Sequence, residues 1–404
     1  MTVLVIGGGP AGLSAAEILA TRGVPVTVLD REPAMGGVAR HCVRPGYGPT
    51  RLLTGPLYAR QLVARAAAAG ARLRVATTVT GWAGPTAVEV TSRAGREVIV
   101  AEAVLLATGC RERPRTARLV PGDRGGGVYT TGALQQFVYQ YGDGLGPVGE
   151  LAVVVGAERV SYAAVRTLAH AGVRTLAMVT EHERPQIGPL RSATARRVPV
   201  FSSTTVNRIE GRGRVCAVEL ASTRTGQTRR VECDTVVFTG DWVPESELPR
   251  LGGLAMDPAS RAPVTDLAAR TSRPGVFAAG NLLHAAESAA VSARCGAHAA
   301  AAVLRYLSGE AWPDSDPVPL VGADPVRWVS PAAIRPGQAQ VPHGRLLLRV
   351  DRFATSAVLE VRQADQVLHR HRAWRLMPNT PVHLPTPWLR RVDPAAGPVT
   401  VALA

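Results

Sequence analysis

The residues Gly7-Gly8-Gly9-Pro10-Ala11-Gly12 have the spacing Gly-x-Gly-x-x-Gly, and a second stretch, Gly156-Ala157-Glu158-Arg159-Val160-Ser161, keeps that frame without its last two glycines. Such a turn binds anions. Its first glycine permits a tight bend, the second lets the backbone approach a pyrophosphate, and the third allows a helix to pack closely on a strand. The phosphates then lie at a helix N-terminus, where free N–H groups and the helix dipole favour negative charge. In the second stretch, Glu158 brings a carboxylate to where two phosphates would lie, which costs affinity unless Arg159 neutralises it. A different chemistry is open to His41 and Cys42: an acid/base beside a thiol whose pKa Arg40 and Arg44 would lower, or equally a loop histidine and a small buried cysteine. His284 and Glu287 offer a base or a substrate anchor, or else the polar opening of a helix.

The elements around the first turn are those it needs. Residues 2–6 read as a short apolar strand, 11–22 as a helix, and 24–29 as a second strand ending in Asp30, eighteen residues after Gly12 and placed to accept from a ribose hydroxyl. The second turn has the same frame: a strand at 151–155, a helix at 162–171 closed by Gly172, a strand at 174–179, and then Glu181. Two such units in one chain normally pass electrons between a flavin and a nicotinamide. The segment between them reads as an FAD domain, with the Ala34-Met35-Gly36-Gly37 loop, a strand at 73–79, a meander at 87–100, and a strand at 103–107 ending in Thr108-Gly109. That domain resumes after the second unit with a strand at 235–240, the turn 275–281, and a helix at about 287–307 whose N-terminus would face the flavin, with Asn281 on the ribityl chain.

At 404 residues, 46% hydrophobic and 19% charged, the chain has the composition of a folded protein of two or three domains. Its net charge of +15 comes from 46 basic residues that are all arginine, which reflects composition bias more than a nucleic-acid partner. No nucleic-acid module accompanies the charge. The five cysteines form neither a CxxC pair nor a metal spacing, and no apolar run is long enough to span a membrane, so a cytoplasmic protein with thiols rather than disulfides and no metal is expected.

Taken in order, Gly7 to Gly12, Asp30, Gly36-Gly37, Ala107-Thr108-Gly109, the second Rossmann frame and Gly280-Asn281 resemble the flavoproteins with two dinucleotide-binding domains, which include glutathione and thioredoxin reductases. Within that group the resemblance is closer to the FAD subunits of hydrogen cyanide synthase, opine oxidase and dye-linked proline dehydrogenase complexes. It covers roughly residues 1–310. The resemblance implies an α/β fold of two Rossmann-like domains: FAD-binding parts at 1–115 and 245–315, an NAD(P)-binding-like domain at 116–244, and a small β-rich module at 325–404. The FAD contacts it implies are Gly7, Gly9, Pro10, Ala11, Gly12, Asp30, Arg31, Gly37, Val79, Ala107, Thr108, Gly109, Gly280 and Asn281. His41, Cys42 and His284 are the candidate catalytic residues.

The chain departs from the disulfide reductases in lacking both the Cys-x4-Cys and the CxxC pattern, and it has no paired-cysteine [2Fe-2S] module. If electrons leave through iron and sulfur, a separate [2Fe-2S] protein must supply the cluster, and the resemblance implies a partner dehydrogenase subunit and an amine, amino acid or hydroxy acid as the small-molecule substrate. A stand-alone NAD(P)H-dependent reductase and a non-catalytic scaffold are the alternatives. The tail alternates short apolar runs with prolines beyond a boundary at 309–324, and between Pro325 and Ala404 it holds eleven arginines against four acids. That is either a docking surface for another subunit or a solvated lid.

Overall fold

The computed structural model describes residues 2–142, 146–188, 198–335, 337, 338 and 340–404, with the backbone alone at 343. The chain forms two compact units, Met1–Cys110 with Pro244–Ala404, and Arg111–Val243. The second unit thus begins at Arg111, where the sequence predicts a start at residue 116, and the tail belongs to the first unit.

In the first unit, strand Val3–Ile6 pairs in parallel with Val26–Leu29 on one side and Ala103–Leu106 on the other. Val276–Ala278 and Arg72–Arg74 complete a five-stranded sheet. The inner strands are apolar at nearly every position because both faces are covered. On one face, Leu13 of helix Pro10–Thr21, Leu62 of helix Gly55–Ala68 and Val303 of helix Ala289–Leu307 pack on Val3, Val5 and Leu105. On the other, Val88 and Val90 of an antiparallel sheet pack on Leu4, Ile6, Val104 and Leu106. That second sheet is built from Thr77–Trp82, Ala87–Ser92 and Gly95–Val100. The strand expected at 73–79 is two strands in two sheets, broken where Ala76 takes φ +47°.

The tail carries its own core and also joins the first unit. Val399–Leu403 lies between Val318–Gly322, to which it is parallel, and Ala354–Gln363, to which it is antiparallel. Gln366–Leu376 pairs with Ala354–Gln363 and forms the edge of that sheet. Val326–Ser330, Arg345–Val350 and Val382–Pro385 make a second sheet. The 309–324 segment, expected to be a boundary, therefore contributes a strand. Leu267 is buried in the tail's core with Leu348, Leu359 and Trp388. Gln338 Oε1 accepts from the Leu267 N–H at 3.2 Å, which fixes the contact.

The second unit repeats the Rossmann plan, with the parallel order Val128–Thr130, Thr235–Phe238, Leu151–Val155, Arg174–Val179, Val200–Phe201. Helix Arg159–His170 covers this sheet through Ala164 and Leu168. An antiparallel sheet of Thr204–Glu210, Ala217–Ser222 and Thr228–Glu232 accompanies it. No helix of the described residues is long and apolar enough to cross a membrane.

Candidate functional site

The first glycine turn leaves an anion site open. Gly7 takes φ +109°, and a side chain there would run into the carbonyl of Ala107. Gly9 is the N-cap of helix Pro10–Thr21; among the described residues no side chain caps that helix, and its first turn holds no acid. Nothing lies within 4 Å of the position a side chain at Gly9 would occupy, so the turn is open on that side. Asp30 stands where the adjacent strand ends. Its Oδ2 accepts from the Gly8 N–H at 2.7 Å and its Oδ1 from the Glu32 N–H at 2.9 Å. Burial raises its carboxyl above the ordinary range, and the Glu32 and Gly8 N–H groups oppose that rise. Each oxygen keeps a lone pair for a hydroxyl donor. Gly36 donates from its N–H to Gly8 O at 2.7 Å, which brings the Gly36-Gly37 loop over the turn without side chains. These residues fit the pyrophosphate and adenosine ribose of a dinucleotide.

The other expected cofactor residues are held as follows. Thr108 Oγ1 donates to Glu245 O at 2.8 Å, and Gly109 O accepts from the Glu245 N–H at 2.9 Å. Arg31 is exposed and pairs with Glu245 at 3.4 Å. Val79 packs on the sheet's far face, and Gly280 lies against Ala11. Asn281, expected on the ribityl chain, uses its side-chain amide within the loop. Its Nδ2 donates to Glu287 O, and its Oδ1 accepts from the Glu287 N–H and from Ser292 Oγ, each at 3.2 Å, so the amide pins the loop before the last helix.

The candidate catalytic residues are buried or half-buried. Burial pushes the Cys42 thiol up, against a hydrogen bond with Tyr47. His41 is buried, and its pKa is lowered by burial first and then by the Arg40 charge. His284 Nε2 lies 3.0 Å from Cys295 Sγ in the interior. Burial pushes the Cys295 thiol up to about 12. Glu287 is buried against Arg349 of the tail at 2.8 Å, so it serves as an internal clasp.

The second turn is built on the same frame with different contents. Gly156 donates to Val179 O as Gly7 does to Leu29 O, and the residue after Val179, matching Asp30, is Thr180. Glu181, expected from sequence as the acid of this unit, is one position further on and exposed. Thr180 Oγ1 accepts from Gln186 Nε2 at 2.9 Å, and the Gln186 N–H donates to Ala157 O as Gly36 does to Gly8. Glu158 caps helix Arg159–His170: its carboxylate accepts from the Ser161 N–H, and Ser161 Oγ accepts from the Glu158 N–H at 3.1 Å. The carboxyl is 5% exposed and packs so tightly on Gly240 that no side chain would fit there. Its pKa is raised to about 7 by burial first and then by Glu112, with Arg118 opposing. The charge that answers Glu158 is therefore Arg118 rather than Arg159, which is exposed. Arg118 also donates to Gly240 O at 2.8 Å and Thr239 O at 3.0 Å.

With two Rossmann units in place and the first glycine turn open, residues 1–296 match the family model described as pyridine nucleotide-disulphide oxidoreductase. The chain belongs to this family. It is an oxidoreductase of that family, whose members bind FAD. An opine oxidase subunit of Agrobacterium tumefaciens is 29% identical over 343 residues, covering 76% of this chain and 66% of the relative. Hydrogen cyanide synthase subunit HcnB of Pseudomonas aeruginosa is 35% identical over 138 residues, 33% of this chain and 29% of the relative. The chain thus spans just under two thirds of the opine oxidase relative's length. Among solved structures, T. acidophilum thioredoxin reductase superposes with a TM-score of 0.64 at 22% identity over 76% of this chain and 98% of its own. L-proline dehydrogenase from P. horikoshii gives 0.57 at 18% over 78% and 57%. These two show the fold.

Arg118, Thr180, Gln186, Cys295 and Arg349 carry no signal of their site in the motifs read from sequence. Counting from the strand end, as Asp30 follows Leu29, points to Thr180. The other four are brought in by pairings that the glycine spacing does not register.

Proposed function

We propose that this chain is the FAD-carrying subunit of a multi-component dehydrogenase acting on an amine, amino acid or hydroxy acid, with electrons that do not come from NADH or NADPH. The observation that carries this reading is the contrast between the two helix N-termini: one open with Asp30 beside it, the other capped by its own carboxylate. When bound, FAD supplies a two-electron acceptor that no side chain can replace. The chain's part is to hold it. The N–H groups of the Gly9 to Gly12 turn take the pyrophosphate, Asp30 accepts from the ribose, and the small residues of Ala107-Thr108-Gly109 and Gly280 let the backbone lie close.

Relatives named as subunits of opine oxidase and of hydrogen cyanide synthase support the subunit reading. A docking surface is available on the tail. The edge strand Gln366–Leu376 presents Trp374, 89% exposed, among Arg370, Arg372 and Arg375. Exposed tryptophan and arginine are among the residue types most enriched at binding hot spots. The Cys42, Cys233 and Cys295 thiols are pushed up by burial, which supports a reading without a dithiol shuttle, and a cytoplasmic setting is part of the same proposal. An iron-sulfur relay would then be a separate [2Fe-2S] protein.

The test is the absorption spectrum of the purified chain, the identity of the cofactor released on heating, and anaerobic titration with NADH and NADPH. A yellow protein that releases FAD and is not bleached by either nucleotide is the expected result. Bleaching would establish a stand-alone reductase, and a colourless protein that cannot be reconstituted with FAD would leave a scaffold.

A further inference from the structure

The second Rossmann unit keeps the strand, turn and helix of a dinucleotide site but fills the place of the dinucleotide with its own side chains. Helix Arg159–His170 is twelve residues long, as is Pro10–Thr21, and each starts from a glycine turn at the end of a parallel strand. At the first, the N-cap is Gly9 with open space before it; at the second, it is Glu158. Three details show that the Glu158 carboxyl is an occupant of the anion site and not a side chain pointing away. It accepts from the Ser161 N–H, one of the helix's free donors. It fills the space against Gly240 at the end of the neighbouring strand. It also lies beside the Arg118 guanidinium, which is fixed by its bonds to Thr239 O and Gly240 O and stacked on the Phe238 ring at 5.3 Å. The Oε1 atom is buried and has no hydrogen-bond partner among the described residues, so the carboxyl fills this space without being fully satisfied by it. Around it Thr180 replaces the ribose-binding acid, and Gln186, 3% exposed, fills the place that Gly36 leaves open in the first unit.

We propose that Glu158 is a built-in anion that stands in for the pyrophosphate of a nicotinamide dinucleotide, closing the second unit to NADH and NADPH, and that Glu158→Gly reopens a nucleotide pocket there. This deepens the reading above by assigning cofactor selection to one residue, but it rests on nucleotide binding to the second unit and so can fail while the FAD assignment stands.

The experiment is isothermal titration calorimetry of the full chain, FAD-reconstituted, with NADH, NADPH and ADP-ribose. Three proteins are compared: wild type, Glu158→Gly and Glu158→Gln. Glycine is nearly as good an N-cap as the polar residues, so the glycine variant keeps its helix; circular dichroism and the melting temperature check this. The expected result is no heat from wild type or Glu158→Gln up to millimolar nucleotide, and at least a tenfold gain in affinity for one of the three ligands in Glu158→Gly. If Glu158→Gly does not fold, Glu158→Ala takes its place with the same expectation. Micromolar binding of NADH or NADPH to wild type would overturn the proposal. So would a folded Glu158→Gly or Glu158→Ala variant that binds no more tightly than wild type, or a gain in Glu158→Gln equal to that in Glu158→Gly, since a shape-conserving change should leave the site filled.

Discussion

Replacing Glu158 by glutamine should change the pH dependence of stability in a way that can be worked out from its surroundings. Burial first, and then the charges of Glu112 and Asp241, raise the carboxyl from the ordinary 4.5 to about 7, against the Arg118 charge and a hydrogen bond with Thr239. The folded chain therefore holds this proton to higher pH than the unfolded chain does. Below about pH 4.5 both states are protonated and the group is silent. Between 4.5 and 7 the native state binds more protons than the unfolded state, so stability falls as pH rises; above 7 the full cost of the buried charge is present. At about 1.4 kcal/mol for each pH unit, the loss is about 3 kcal/mol. The glutamine side chain would keep the acceptor for the Ser161 N–H and remove the charge. Urea unfolding followed by far-UV circular dichroism at pH 5 and pH 8 should show wild type losing about 3 kcal/mol more than Glu158→Gln between the two, with Glu112 and every other titrating group common to both proteins. If both proteins lose the same amount to within about 0.5 kcal/mol, the carboxyl is not buried as described and the self-capping account fails.

Other residues give sharper tests of the first unit. Asp30→Ala removes a charged acceptor from the ribose and should weaken FAD binding about 10- to 100-fold in a fluorescence titration of the apoprotein; an unchanged affinity would move the cofactor elsewhere. Arg349→Met leaves Glu287 buried without its cation and should cost about 3–5 kcal/mol of stability, whereas a loss under about 1 kcal/mol would show that the clasp is not closed in solution. Cys42→Ser should change the rate of flavin reduction by no more than about twofold in stopped-flow measurements, because the thiol is held protonated; a hundredfold loss would restore it as a nucleophile. Trp374→Ser should raise the dissociation constant for the partner subunit by about tenfold or more with the melting temperature unchanged, and equal binding would place the interface elsewhere.

The parts of the fold legible in the sequence are those written in local periodicity. The run of residues 3–6, the glycines that follow and the acid at position 30 are close in the chain, and the turn they form depends on little else. Glu158 is visible in the same way as a disturbance of the second turn, but the spacing points its carboxylate toward a ligand, with Arg159 as the counter-charge. The structure turns it inward, because the helix begins at Arg159 and leaves that side chain exposed, while Arg118 and Gly240 reach Glu158 from distant segments on either side of it in the chain. Asn281 is a similar case: its position after Gly280 is visible in the sequence, but its commitment to Glu287 and Ser292 is set by how the loop closes. For Cys42, neighbouring arginines in the sequence say nothing about burial, and burial outweighs them. The strand at Val318–Gly322 is hidden by the prolines and acids around it, since its partner lies near the end of the chain.

That last pairing has a consequence for how the protein is made. Val399–Leu403 lies in the interior of its sheet, bonded on both sides, by Val318–Gly322 and by Ala354–Gln363. During synthesis the earlier strands leave the ribosome with the centre of their sheet missing, and Val318–Gly322 has only the short strand Ala333–Ile334 beside it until Val399–Leu403 joins. The Rossmann halves can start to assemble while this module is still open, since domains generally fold as units as they emerge. Its sheet stays incomplete until Val399–Leu403 has joined it. A chaperone acting before Val399–Leu403 is in place would therefore meet this module, and not the glycine turns, as its substrate.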